Sequence, residues 1–127
     1  MANVVGVGTD LIEVDRVTRA WERFGERFLA RVFTAPERAY CMARADFACA
    51  LAGRFAVKEA VVKAVSPEAP SGFTFHDVAV VADGGRPRVE LGGAVAAWAR
   101  LRGVTEVLVS LSHERRYAVA FAVALGE

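Results

Sequence analysis

Residues 47–65 read FACALAGRFAVKEAVVKAV, and this stretch decides the fold. It is free of proline and apolar almost all round a helix, broken only by Arg54, Lys58, Glu59 and Lys63. Such a helix is a buried one, and its few charges need partners or a ligand, because unpaired buried charge is costly. Asp46 stands where an N-cap is expected. The run SPEAPSG at residues 66–72 ends the helix in a loop.

Upstream, TAPE at residues 34–37 fits a capping box and opens a helix reaching about Arg44. Residues 13–31 show helical spacing, with Val14, Val17, Trp21, Phe24 and Phe28 in one stripe and Gly25 as a weak point. Residues 3–9 form a short apolar run with glycines at 6 and 8, read as a buried strand with Asp10 at its end. Downstream, residues 73–82 predict a strand, Asp83-Gly84-Gly85 a hairpin turn, and residues 87–91 an edge strand that starts at Pro87. A short helix over residues 94–102 closes at Gly103, and strands over 104–112 and 117–125 flank His113-Glu114-Arg115-Arg116. The sum is an α+β chain: helices in the first half, and a mainly antiparallel sheet packed against the long buried helix.

The length of 127 residues predicts one domain over 1–127. A net charge of +1 argues against a general nucleic-acid or membrane-surface binder, so an anionic ligand must be held by a local cluster. Cys41 and Cys49 lack a C-x-x-C spacing and read as buried small apolar groups. The N-terminus lacks the basic and apolar regions of a secretory signal, and no run is long enough to span a membrane. A reducing, cytoplasmic location is the expectation. Arginine supplies all the basic residues except Lys58 and Lys63, which both fall in the central helix. Lysine offers a compact point charge where arginine offers a planar fork.

Asp10 and Glu59 come from different elements, and two such carboxylates suit magnesium, which takes hard oxygen ligands and keeps several waters. The alternative is structural: Asp10 capping the next helix and Glu59 pairing with Lys63 at i,i+4. Arg54, Lys58 and Lys63 add cations suited to a metal-bridged polyphosphate. His113, beside Ser112, Arg115 and Arg116, is a candidate phosphate contact; His76 carries no motif. A P-loop, a complete dinucleotide fingerprint and a Cys/His cluster for zinc are all absent from the sequence.

Three stretches in this order, VGVGTD (5–10), GRFAVKEAVVKA (53–64) and VSLSH (109–113), together with RVFT (31–34) and Glu37, resemble the holo-acyl-carrier-protein synthase family. The resemblance covers essentially the whole chain. It implies transfer of the 4'-phosphopantetheine group of coenzyme A to a serine hydroxyl of an apo acyl carrier protein, with adenosine 3',5'-bisphosphate leaving. It also implies that Asp10 and Glu59 coordinate Mg2+ and that Lys63 contacts the coenzyme A diphosphate. Arg54 and His113 would hold coenzyme A phosphates, Arg54 the 3'-phosphate, and Arg16 would help dock the carrier protein. The compact members are homotrimers with sites between subunits, so His113 is expected to face a neighbour's Asp10 and Glu59. The family's glycine-rich turn after the Lys-Ala pair is VSPEAP here (65–70), where two prolines remove N–H donors and Glu68 adds negative charge. That departure keeps an alternative open: a coenzyme A or carrier-protein binding module of the same fold without transferase activity. A purely oligomerising domain is the third reading.

Overall fold

The structure, a computed structural model, describes residues 2–66, 70–82 and 84–127. Helix α4 (Phe47–Val65) is its axis: thirteen of its nineteen residues are buried, because alanine, valine and leucine cover every side of it. Strands β1 (Asn3–Glu13), β5 (Tyr117–Gly126) and β4 (Val104–His113) form an antiparallel sheet in the order β1-β5-β4 that packs on α4. The fit is made by small residues. Ala118, Ala120, Ala122 and Ala124 alternate along β5 and are all buried toward the helix. On β1, a methyl group added at Gly6 or Gly8 would overlap the backbone carbonyl oxygen of Ala64 or Ala60. The Gly-x-Gly pair, too short for a dinucleotide fingerprint, is therefore what lets a strand backbone lie directly on a helix backbone.

The expected α+β architecture is present, with a long buried helix against an antiparallel sheet. Its details differ from the sequence reading in four places. β1 runs on to Glu13, so Asp10 lies within the strand, paired opposite Ala120, and not beyond its end. The predicted helix over residues 13–31 is two helices, α1 (Val14–Phe24) and α2 (Glu26–Val32), separated by Gly25 at φ +62. Only glycine takes that backbone conformation without strain. Asp46 precedes α4 but makes no capping bond; its carboxylate instead accepts from Arg44 Nε at 3.2 Å. The strand predicted from residue 73 begins with a 3-10 turn (Phe75–Asp77), and only Val78–Val81 is β2, paired with β3 (Arg88–Leu91) as a separate two-stranded hairpin. Its turn residue Asp83 lies outside the described residues.

Helix α3 (Ala35–Met42) starts on the predicted capping box, Thr34 accepting from Glu37 N while Glu37 accepts from Thr34 N at 2.7 Å. Its N3 residue does a second job. Glu37 and Lys58 are both fully buried and ion-paired at 2.9 Å. Lys58 Nζ also donates to the carbonyls of Phe75 (2.9 Å) and Val78 (2.6 Å), and Glu37 accepts from Val80 N at 2.6 Å. Three ammonium donors thus meet three acceptors, the condition under which a buried pair is tolerated. Burial pushes the Lys58 amine below its ordinary range, and Glu37 opposes that shift. The network ties α3, α4 and β2 together. Helix α5 (Gly93–Leu101) completes the chain before Gly103, at φ +73, turns into β4.

Candidate functional site

Glycines 6 and 8 and Ile12 show which side of β1 meets α4, and Asp10 shares that parity. Its carboxylate therefore sits beside the last turns of the helix, where Lys63 Nζ donates to Asp10 Oδ1 at 3.3 Å and to the Thr9 carbonyl at 3.0 Å. Glu59 lies one turn before Lys63 and is half-buried among apolar neighbours. Burial foremost, then the negative charge of Asp10, pushes the Glu59 carboxyl above its ordinary range, while Lys63 and Arg16 pull it back. Four predicted site residues, Asp10, Arg16, Glu59 and Lys63, thus form one electrostatic cluster. The capping alternative for Asp10 fails, since α1 has no side-chain cap, and Lys63 pairs with Asp10.

Arg54 and His113 are elsewhere. Arg54 precedes Glu59 by five residues, which turns its side chain roughly 140° around the helix and moves it about 7.5 Å along the axis. It lines a cavity of about 520 Å³ with His113, Tyr40, Arg44, Arg86 and Pro87, closed on one side by Leu108, Ser110 and Phe121. Gly53 makes room for the strand end there: a methyl on it would come within 3.1 Å of Leu111 Cδ1 and 3.7 Å of His113 Cδ2. Arg54 is only 7 % exposed, yet among the described residues no carboxylate pairs with it; its guanidinium lies 4.4 Å over the Tyr40 ring. A nearly buried cation with no counter-ion, opening into a cavity with two more guanidiniums and a histidine, suits a phosphate group.

Within one chain, therefore, the predicted site falls into two halves, a carboxylate–lysine cluster and an arginine–histidine cavity. Lys58, grouped by sequence with the phosphate-binding cations, belongs to neither half, because Glu37 and two carbonyls consume its donors. Tyr40, Arg44 and Arg86 escaped the sequence reading; helix α3 and the β2–β3 hairpin bring them in from a distance, and no local motif marks them. Among the described residues no group of three or more His, Cys, Asp or Glu side chains is arranged to hold a metal by itself. Pro67, Glu68 and Ala69, the core of the departure from the family's glycine-rich turn, lie outside the described residues.

The family model described as the 4'-phosphopantetheinyl transferase superfamily matches residues 6–122, an interval that holds both halves. The chain belongs to this superfamily. A holo-[acyl-carrier-protein] synthase of Desulforudis audaxviator is 50% identical over 125 residues, covering 97% of this chain and 94% of its own. The crystal structure of the Neisseria meningitidis holo-[acyl-carrier-protein] synthase superposes with a TM-score of 0.84 at 32% identity, covering 96% of this chain and 98% of that one. The Bacillus anthracis synthase in complex with CoA (3',5'-ADP) gives 0.77 at 29% identity, with 98% of each chain covered. The resemblance drawn from the three sequence stretches is thereby borne out, and with it the fold class.

Proposed function

We propose that this chain is a holo-acyl-carrier-protein synthase, transferring 4'-phosphopantetheine from coenzyme A to a serine of an apo acyl carrier protein, and that residues 1–127 form one transferase domain. The carrying observation is the meeting of Asp10, Glu59 and Lys63 where β1 lies on α4. The synthase names and the coenzyme A complex among the relatives support the substrates.

Mg2+ fits the carboxylate pair. Asp10 adds to the cost of ionising the half-buried Glu59, and the two carboxylates would offer such an ion hard oxygens with room left for water. When bound, the ion supplies charge neutralisation to the diphosphate. Glu59, made more basic by burial, takes the proton of the carrier serine. The serine oxygen then attacks the phosphorus next to pantetheine, and the bond to the bridging oxygen breaks. Adenosine 3',5'-bisphosphate departs with the negative charge, which Lys63 steadies from beside Asp10. Most of the rate gain is positioning and electrostatics. Arg54 and His113 grip the nucleotide phosphates, Arg54 the 3'-phosphate, and exposed Arg16 faces the acidic carrier.

The halves join between subunits of a homotrimer. The sheet face turned away from α4 supports this: Val7, Leu11 and Phe121 are each more than half exposed, and Val7, Val123 and Leu108 align across the three strands. An apolar sheet face this open is an association surface. Leu108, Phe121 and Val123 also rim the Arg54 cavity, so a copy seated on that face would close it. Two free thiols, Cys41 and Cys49, agree with a reducing compartment, and no helix among the described residues is long and apolar enough to cross a membrane. The test is the intact mass of an apo carrier protein incubated with the chain, coenzyme A and Mg2+. A gain of one phosphopantetheine unit, about 340 Da, that chelation abolishes is the expected result. No gain while coenzyme A still binds would make the chain a binding module.

A further inference from the structure

We propose that Tyr40 is a positioning residue for the anionic end of coenzyme A, holding Arg54 at the angle that lets this enzyme distinguish a 3'-phosphorylated nucleotide from one without that phosphate. The proposal rests on Arg54 as the 3'-phosphate contact. Arg54 has a long, flexible side chain, and among the described residues no carboxylate fixes it. What it has is the face of Tyr40, 4.4 Å from guanidinium carbon to ring centroid, a distance at which the ring quadrupole attracts the cation. Arg44 uses the same residue from another direction: its carbon is 5.7 Å from the centroid, and its Nη1 donates to the hydroxyl at 3.4 Å. One aromatic side chain thus touches two guanidiniums on the wall of one cavity. Arg44 is also paired with Asp46, whereas a carboxylate in the place of Tyr40 would neutralise Arg54 before a phosphate arrives.

The platform is itself fixed. Tyr40 lies one turn after Glu37 on α3, and Arg54 one turn before Lys58 on α4. The buried Glu37–Lys58 pair pins these two helices one turn away from the Tyr40–Arg54 stack. Tyr40 is 38 % exposed, so its replacement leaves the core intact.

The experiment compares kcat/KM for coenzyme A and for 3'-dephospho-coenzyme A in the wild type, Tyr40→Leu, Tyr40→Phe and Arg54→Ala. The ratio of the two values measures recognition of the 3'-phosphate and is unmoved by a general loss of folded enzyme. Arg54→Ala lowers the ratio at least about tenfold, as loss of a charge-assisted contact does. Tyr40→Leu lowers it about three- to fivefold, the size of one cation–π contact, while Tyr40→Phe, which keeps the ring, stays near wild type. Tyr40→Leu with the wild-type ratio, or with equal losses on both substrates, overturns the role of Tyr40 if Arg54→Ala still loses discrimination. If Arg54→Ala keeps the ratio, the assignment of Arg54 itself is wrong, and the proposal goes with it.

Discussion

Replacing Gly8 by alanine places one methyl group between β1 and α4, and the structure says what it meets. The new carbon would overlap the Ala60 carbonyl oxygen and lie 2.9 Å from Ala64 N, against an ordinary contact of 3.4 Å or more. Both neighbours are helix backbone, which cannot rotate aside, so the strand must retreat by on the order of 1 Å. Overpacking of this kind costs roughly 2–3 kcal/mol, which for a chain of this length lowers Tm by roughly 10 °C. Asp10 is two residues further along the same strand and moves with it, away from Lys63 and Glu59. A 1 Å error at a reacting centre costs about a hundredfold in rate, so turnover falls by more than the loss of folded protein explains. Differential scanning calorimetry and the carrier-protein mass assay below Tm read the two effects separately. Gly92→Ala is the control, with extended backbone and nothing within 4 Å of the added carbon. A Gly8→Ala protein with wild-type Tm and full activity would refute the claim that strand-on-helix contact sets the site.

Lys58→Met leaves Glu37 charged and buried without its cation, and urea unfolding should show a loss of about 3–5 kcal/mol. In metal-free buffer, Glu59→Gln should match the wild type near pH 4 and exceed it in Tm at pH 8. A carboxyl with a raised folded-state pKa contributes stability that is lost as pH rises through that value, and glutamine has no such loss. Cys41 is fully buried with its thiol pushed up to about 11, so at pH 8 about one thiol in a thousand is ionised, and peptide mapping after mild alkylation should find label on Cys49 first. Label on Cys41 at the same rate would show that α3 opens readily.

The central helix was legible because nineteen residues without a breaker carry apolar groups on every side, a pattern that local physics alone interprets. Asp10, Glu59 and Lys63 could be singled out in the sequence by residue type and by the family resemblance, but that they come together could not be read there. Their meeting depends on Gly6 and Gly8, whose role is visible only once a helix lies against them. Lys58 was misassigned for a related reason. Its partner Glu37 is 21 positions away and had already been explained, correctly, as a capping residue. Tyr40 and Arg44 left no signal, since an aromatic face under a guanidinium joins α3 to α4 through space with no fixed spacing. Asp46 shows the reverse error: a residue type favoured at caps sits at the cap position, but Arg44 two residues earlier competes for its carboxylate.

Subunit complementation tests most directly whether two half-sites from different copies make one active site. Co-expressing Asp10→Asn/Glu59→Gln chains with Arg54→Ala/His113→Ala chains yields mixed assemblies from two proteins that are each inactive alone. Random mixing of equal amounts should return about a quarter of wild-type transfer activity, because that share of interfaces combines an intact carboxylate half with an intact cavity half. Mixed assemblies with no more activity than either parent would contradict the account, and would mean that each chain must build its site alone.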